Sequence, residues 1–295
     1  MPASTGSCSP PRLLAVLANA LGPSAARREL KWMRNAIANP PPGLALPALS
    51  AMVARRARGE PLQYILGTQP FGSLDILVRP PVLIPRPETE HWTIRLSEAL
   101  APSPDAPVRV LDLCTGSGCI PLLLCALWPL GSTRAVGVDI SLAALQLATE
   151  NARHLSHASA PSVPRNTFRS VWGDLRAPLH LASALPHKPF SLLTANPPYI
   201  PPPDYAVLPR SVRAYEDRRA LLGGGQDGLA LYRSIAQFVA APGVLAPGGS
   251  LALEVGDGQA PSVRDILSRP RLFAKTEIWQ DPWGKERVVL GWQRI

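Results

Sequence analysis

Asn196-Pro197-Pro198-Tyr199 follows directly on the apolar run Phe190–Ala195, an unusual way for a buried strand to end. Proline donates no backbone N–H and has a fixed φ, so the sheet must stop there and the chain leaves it extended. Asn196 has a side-chain carbonyl that can accept one N–H. The Pro197 carbonyl, held from helical pairing by Pro198, can accept another. Tyr199 can pack against a planar group. An amide or aromatic amine nitrogen is a poor nucleophile because its lone pair is delocalised. Two acceptors that aim it at an electrophilic carbon act by proximity, an effect that reaches about 7–11 kcal/mol. The competing interpretation is a plain proline-rich turn.

A second group of residues has the character of a nucleotide site. Asp112-Leu113-Cys114-Thr115-Gly116-Ser117-Gly118 closes the apolar run that starts at Val108. Glycines there let the backbone turn tightly and approach a ligand, with N–H groups at the following helix. Gly137-Val138-Asp139 ends the next strand, with Asp139 21 residues beyond Gly118. A carboxylate at that spacing can accept from two ribose hydroxyls. Pro121 stands where a dinucleotide turn has its third glycine, which disfavours a pyrophosphate. A ligand with ribose and no phosphates fits, such as S-adenosyl-L-methionine, whose demethylated product is S-adenosyl-L-homocysteine. Asp174, which closes a third strand, could accept from an adenine amino group. Ser117 lies in no G-x-S-x-G elbow, so it is not a hydrolase nucleophile.

These residues need strand ends to position them, and the chain supplies strands alternating with helices. Strands are expected at Val108–Leu113, Ala135–Ile140, Thr167–Trp172, Phe190–Ala195 and Ser250–Val255. Helices are expected at Cys119–Leu127, Ser141–His154, Gly228–Val239 and Ala260–Ser268. That is an open, mostly parallel α/β sheet. Phe273–Gln280 and Arg287–Trp292 flank Asp281-Pro282-Trp283-Gly284-Lys285 with no room for a helix, so they should form an antiparallel hairpin. Upstream, Leu13, Leu14, Leu17 and Leu21 share a helix face, as do Leu30, Met33 and Ile37. A third helix is expected over Ala45–Arg58, after a break at Pro40-Pro41-Pro42-Gly43. Tyr64–Gly67 and Phe71–Val78 suggest a hairpin. Arg79–Glu90 leads into a helix through Leu100, and Ala101–Ala106 has linker composition. The expected units are a helical domain at 1–60, a hairpin and linker at 61–105, and a catalytic domain at 106–295.

Composition sets the bounds. With 295 residues and 46% hydrophobic content, the chain can bury a large core and is not a disordered segment. No Cys pair has C-x-x-C spacing and no His pair has H-x-x-x-H spacing. This disfavours a disulfide scaffold or a metal site and fits a reducing compartment. The apolar run near Ile120–Leu130 is too short to span a bilayer. The formal charge is +9. Residues 1–60 hold eight Lys/Arg against Glu29 and Glu60, a net of +6. That excess is either a solvated helical surface or a footprint for an acidic or RNA-associated partner. The acid-poor start, with Arg12, Arg27 and Arg28 before Glu29, predicts a mitochondrial transit segment. An ordinary first helix in a cytoplasmic protein is the alternative. A monomer is the default expectation.

The motifs together resemble the N5-glutamine methyltransferases of peptide chain release factors. The resemblance rests on Pro61-Leu62-Gln63-Tyr64-Ile65-Leu66-Gly67, Leu83–Glu90 (L-I-P-R-P-E-T-E), Asp112–Gly118, N-P-P-Y, Ala220–Arg233, Leu251–Gly256 and Asp281–Gly291. It spans residues 10–295. It implies a Rossmann-like class I S-adenosyl-L-methionine-dependent methyltransferase sheet, and a substrate glutamine in the Gly-Gly-Gln motif of a release factor. By this resemblance Asn196, Pro197, Pro198 and Tyr199 hold that glutamine, and Asn196, Pro197 and Tyr199 serve catalysis. Cys114, Thr115, Gly116, Ser117, Gly118, Asp139, Asp174, Leu175 and Asn196 hold the cofactor, and residues 1–60 recognise the partner. Family members often have Glu-Pro before the Ala-Leu-Gly-Gly stretch. This chain reads Tyr215-Glu216-Asp217-Arg218-Arg219, which leaves that loop open. Gly224-Gly225-Gln226 repeats the substrate tripeptide and is read as a turn. Enzymes that methylate adenine N6 also use Asn-Pro-Pro-Tyr. Against that alternative, the chain has no separate basic, aromatic-rich target domain, so direct nucleic-acid binding is not expected. A non-catalytic assembly factor of the same fold conflicts with the intact Asn196, Gly116, Gly118 and Asp139.

Overall fold

The computed structural model describes residues 10–41, 43–155, 165–185, 188–269 and 273–293. Pro42 of the expected break and residues 1–9 of the expected leader lie outside them. Helices α1 (Pro10–Leu21), α2 (Pro23–Ala38), α3 (Leu49–Ala57) and α4 (Leu62–Leu66) come first. Leu13, Leu17, Ala26, Leu30, Met33, Met52 and Val53 form their core, joined by Leu62 and Ile65 of α4. Each such side chain contributes about 1.5–3 kcal/mol on burial. Glu29 in α2 is buried and paired with Arg56 at 2.6 Å, which ties α2 to the end of α3.

The helical unit therefore runs past residue 60, and Tyr64–Leu66 is helix, not strand. Tyr-Ile-Leu suits either state over so short a run, and packing of Leu62 and Ile65 decides it. Gly67 closes α4 in the left-handed region at φ 83°. The hairpin follows as β1 (Thr68–Phe71) and β2 (Leu74–Leu77). The third helix also starts later than the spacing predicts, at Leu49 just after Pro47.

The remainder comprises α5 (Pro87–Ala99), β3 (Val108–Leu113), α6 (Cys119–Leu127), β4 (Thr133–Asp139), α7 (Leu142–Leu155) and β5 (Thr167–Trp172). After these come α8 (Pro178–Ala184), β6 (Phe190–Ala195), α9 (Pro202–Val207), α10 (Arg210–Arg213), α11 (Ala230–Ala240), β7 (Leu245–Glu254), α12 (Ala260–Ser268), β8 (Phe273–Gln280) and β9 (Glu286–Gln293). The short α8, α9 and α10 were not foreseen. A seven-stranded sheet has the order β5-β4-β3-β6-β7-β9-β8. The first five strands are parallel, while β9 runs antiparallel to both β7 and β8. Alternation along each strand feeds both faces. Val110 and Leu192 pack with Trp92, Leu123 and Phe71 on one side. Leu111 and Leu193 pack with Tyr232, Phe238 and Val263 on the other.

Candidate active site

In this strand order the chain moves from β3 outward to β5, then returns to place β6 on the other side of β3. That reversal is where open α/β sheets hold ligands, beyond the carboxyl ends of the strands. A cavity of about 440 Å³ opens there, lined among others by Cys114, Gly116, Asp139, Leu175, Asn196 and Pro198. Strand ends 57 residues apart in sequence (139 and 196) thus line one cavity.

The cavity has an apolar half built around Asp139. Val138, Ile140, Ala144, Leu175 and Leu231 line it. Asp139 Oδ2 accepts from the Gly116 N–H at 2.9 Å, and Oδ1 accepts from the Ser141 N–H at 2.8 Å. Each oxygen keeps lone-pair capacity for a hydroxyl. Burial pushes the Asp139 carboxyl up, with those two N–H groups opposing it. The Gly116 N–H is therefore spent on Asp139, and the Gly118 N–H on the Thr115 carbonyl at 2.8 Å. Two N–H groups of the turn are thus paired within the protein. Pro121 itself sits in the first turn of α6, where its missing N–H has no intrahelical role. At Gly118 a Cβ would come within 3.2 Å of Ala148 Cβ, so α7 packs close against this turn.

Thr115 and Ser117 are buried beneath the turn and do not line the cavity. Asp174 does line it, but its carboxylate is engaged. Arg176, two residues on, donates from Nε and Nη2 at 2.7–3.0 Å and from its backbone N–H at 2.8 Å. Those bonds hold the Asp174 carboxyl below its usual range. Asp174 thus stands at the cavity wall with its carboxylate paired to the exposed Arg176. The three cysteines among the described residues are free. Burial pushes Cys119 and Cys125 up to about 12 and raises Cys114 as well, so all three are neutral thiols at pH 7.

On the opposite side, Asn196 leaves β6 with its Nδ2 donating to Thr89 Oγ1 at 3.2 Å. Thr89 Oγ1 lies 2.6 Å from Oε2 of Glu254, which also accepts from Trp92 Nε1 at 2.8 Å. Among the described residues no donor reaches Asn196 Oδ1 or the Pro197 carbonyl. Both Pro197 and Pro198 are buried; Pro198 lines the cavity with Asn196, Pro197 does not, and Tyr199 packs partly buried against the core. Tyr199 lies over Gly256, where a Cβ would come within 2.9 Å of its ring. Its carbonyl accepts from Gln259 Nε2 at 2.9 Å. Gln259 Nε2 also donates to the Asp227 carbonyl at 3.2 Å, which pins the N-P-P-Y segment to the Gly223–Gly228 loop.

That loop is a series of turns with Gly224, Gly225 and Gly228 at positive φ, as read for Gly224-Gly225-Gln226. The divergent segment before it is also ordered by pairing. Glu216, 5% exposed, is bound by Arg86 at 2.6 Å. The Asp217 N–H donates to the Pro81 carbonyl at 2.7 Å, a bond a proline at 217 could not make. Thr89, Trp92, Glu216, Glu254 and Gln259 escaped the sequence reading as site residues. The side-chain bonds that bring them to the site span 32–165 residues, and the one local signal was a glutamate ending the apolar run Leu251-Ala252-Leu253-Glu254.

Among the described residues, no helix is long and apolar enough to cross a membrane, and no group of three His, Cys, Asp or Glu could hold a metal. No family model matches the chain. A methyltransferase from Pyrococcus furiosus superposes with a TM-score of 0.51 at 14% identity, covering 83% of this chain and all of that one, and so shares the fold. The release factor glutamine methyltransferase of Moorella thermoacetica is 37% identical over 284 residues, 96% of this chain and 86% of that protein. That of Geobacter sulfurreducens is 44% identical over 246 residues, 83% of this chain and 78% of its own length. The chain belongs to the release factor glutamine methyltransferases.

Proposed function

We propose that the protein transfers a methyl group from S-adenosyl-L-methionine to the side-chain amide nitrogen of the glutamine in a release factor's Gly-Gly-Gln motif. When bound, S-adenosyl-L-methionine supplies a methyl carbon made electrophilic by its sulfonium. The residues fit such a ligand: Asp139 can accept from two ribose hydroxyls, and Val138, Ile140 and Leu175 offer apolar surface for a base. Asp174 contributes wall, with its charge already matched by Arg176.

One observation supports the substrate reading most directly. Asn196 spends its amide nitrogen inward on Thr89, so Oδ1 is left without a partner in the same loop as the unpaired Pro197 carbonyl. Two acceptors and no base suit a neutral amide that carries two N–H bonds and must be aimed, not ionised. Tyr199, fixed over Gly256, supports the loop from behind. We assign partner binding to the N-terminal helices, where Arg27, Arg28, Lys31, Trp32 and Arg34 of α2 are exposed. A mitochondrial address rests on the basic, acid-poor start. Mass spectrometry of the mature N-terminus tests this.

Incubation with labelled S-adenosyl-L-methionine and either a release factor, its Gln→Ala variant or DNA tests the function. Label on the release factor alone, absent in the variant, is the expected result. Label on DNA would point to an adenine methyltransferase and overturn it. Asn196→Ala should bind S-adenosyl-L-homocysteine normally and lose most turnover; undiminished turnover would remove Asn196 from its role.

A further inference from the structure

The P-R-P-E-T-E and L-A-L-E-V-G segments, which carry part of the family resemblance, meet behind Asn196. Thr89 stands in the first turn of α5, Glu254 at the carboxyl end of β7, and Asn196 just past β6. Glu254 and Thr89 are 1% and 2% exposed. Glu254 is held from several sides: Trp92 Nε1 donates to its Oε2, and Tyr232 Oη donates to its carbonyl at 2.8 Å. The next residue pairs through its N–H with the Arg287 carbonyl at 2.9 Å. The Thr93 hydroxyl in turn donates to the Thr89 carbonyl at 2.7 Å. The chain Glu254–Thr89–Asn196 is thus anchored at its buried end.

We infer that Thr89 and Glu254 are positioning residues that set which end of the Asn196 amide faces the substrate, an inference that rests on the acceptor role proposed for Asn196. A hydroxyl has one hydrogen to give. At 2.6 Å from a carboxylate oxygen, Thr89 gives it to Glu254. What remains on Thr89 Oγ1 toward Asn196 is lone-pair density, so only the Nδ2 end of the amide can face it. Turned by 180°, the amide would set its oxygen against those lone pairs and present donors where the substrate nitrogen also presents donors. Oxygen and nitrogen of an amide are nearly isosteric, so packing alone would not make this choice. The carboxylate makes it from two bonds away.

The test compares Thr89→Val, Thr89→Ser and Asn196→Ala by steady-state kinetics with a release factor, and by calorimetry with S-adenosyl-L-homocysteine. Valine keeps the shape of threonine and removes the hydroxyl. It should lower kcat on the order of 10²-fold, with KM for the release factor and Kd for S-adenosyl-L-homocysteine within about threefold of wild type. Serine restores the hydroxyl and should return kcat to within about threefold. A valine variant with near wild-type kcat, or a serine variant as slow as valine, would overturn the inference. Full turnover in Asn196→Ala would instead remove the underlying role of Asn196; loss there with an active valine variant would sink only the positioning chain. Should valine fail to fold, a neutron structure of the wild-type protein decides the matter, because it distinguishes amide nitrogen from oxygen. Nitrogen toward Thr89 supports the inference, and oxygen there refutes it.

Discussion

Asp112→Asn should flatten part of the pH dependence of stability. Asp112 lies in β3 with no exposure at all, one strand residue short of the Cys114–Gly118 turn. Its Oδ1 accepts from the Thr194 hydroxyl at 2.7 Å, while Oδ2 has no full hydrogen bond. Burial lifts the carboxyl from 3.8 to about 7, with the Thr115 and Thr194 hydroxyls opposing the shift and Asp139 adding to it. At about 1.4 kcal/mol per pKa unit, holding the ionised form in the fold costs on the order of 4 kcal/mol. The group is fully buried, so water does not screen this. The folded state keeps its proton to higher pH than the unfolded chain. Between pH 4 and 7 the unfolded chain therefore binds fewer protons, and stability falls as pH rises through that window, then levels off. Asparagine stays neutral and still offers an oxygen to Thr194. Urea unfolding of both proteins without cofactor, from pH 4.5 to 8, should show the variant gaining on wild type by about 3 kcal/mol across the range. A stability difference that does not change with pH would refute the reasoning, whatever its sign.

Asp139→Ala should weaken S-adenosyl-L-homocysteine binding at least tenfold by calorimetry, since two hydrogen bonds to a charged acceptor are each worth about 1.5–3 kcal/mol. Gly228→Ala places a Cβ 2.2 Å from the Tyr199 carbonyl at a residue with φ +72°, so both turnover and Tm should fall. The control Gly43→Ala meets nothing within 4 Å and should cost about 1–2 kcal/mol of backbone strain with turnover retained. Arg86→Met leaves Glu216 buried without its partner. Arg86 is itself one-third exposed, so the loss in urea unfolding should be about 2–3 kcal/mol, below the full cost of a fully buried pair.

Three of the parallel strands were legible because each is a short run of strand-forming residues followed closely by a glycine or an Asn-Pro that breaks it, even at the half-exposed edge strand β5. Val108–Leu113, Thr167–Trp172 and Phe190–Ala195 lie where the sequence puts them. What escaped notice was short or proline-led. α8 and α9 each begin at a proline whose fixed φ suits a first helical turn, yet in sequence those residues look like breaks. Tyr64–Leu66 went to helix because the N-terminal core needed Leu62 and Ile65, a demand made by residues of three earlier helices, α1 to α3.

The site divides in the same manner. Its front, the turn at Cys114–Gly118 with Asp139 and Asn196, is made of strand ends, and strand ends are marked in sequence by glycine, aspartate and asparagine. Its back is made of side chains that meet only after folding. Asp174 shows how the front can mislead: its place at the wall was legible, but the salt bridge to Arg176 that occupies its carboxylate depends on a rotamer. Asn196 shows why the back matters more. The sequence supplies the amide, but an amide has a donor end and an acceptor end, and only the acceptor end can receive a glutamine N–H. The choice between them lies with a glutamate 58 residues downstream and a threonine 107 residues upstream. A chain could therefore keep Asn-Pro-Pro-Tyr intact and lose the reaction through either one.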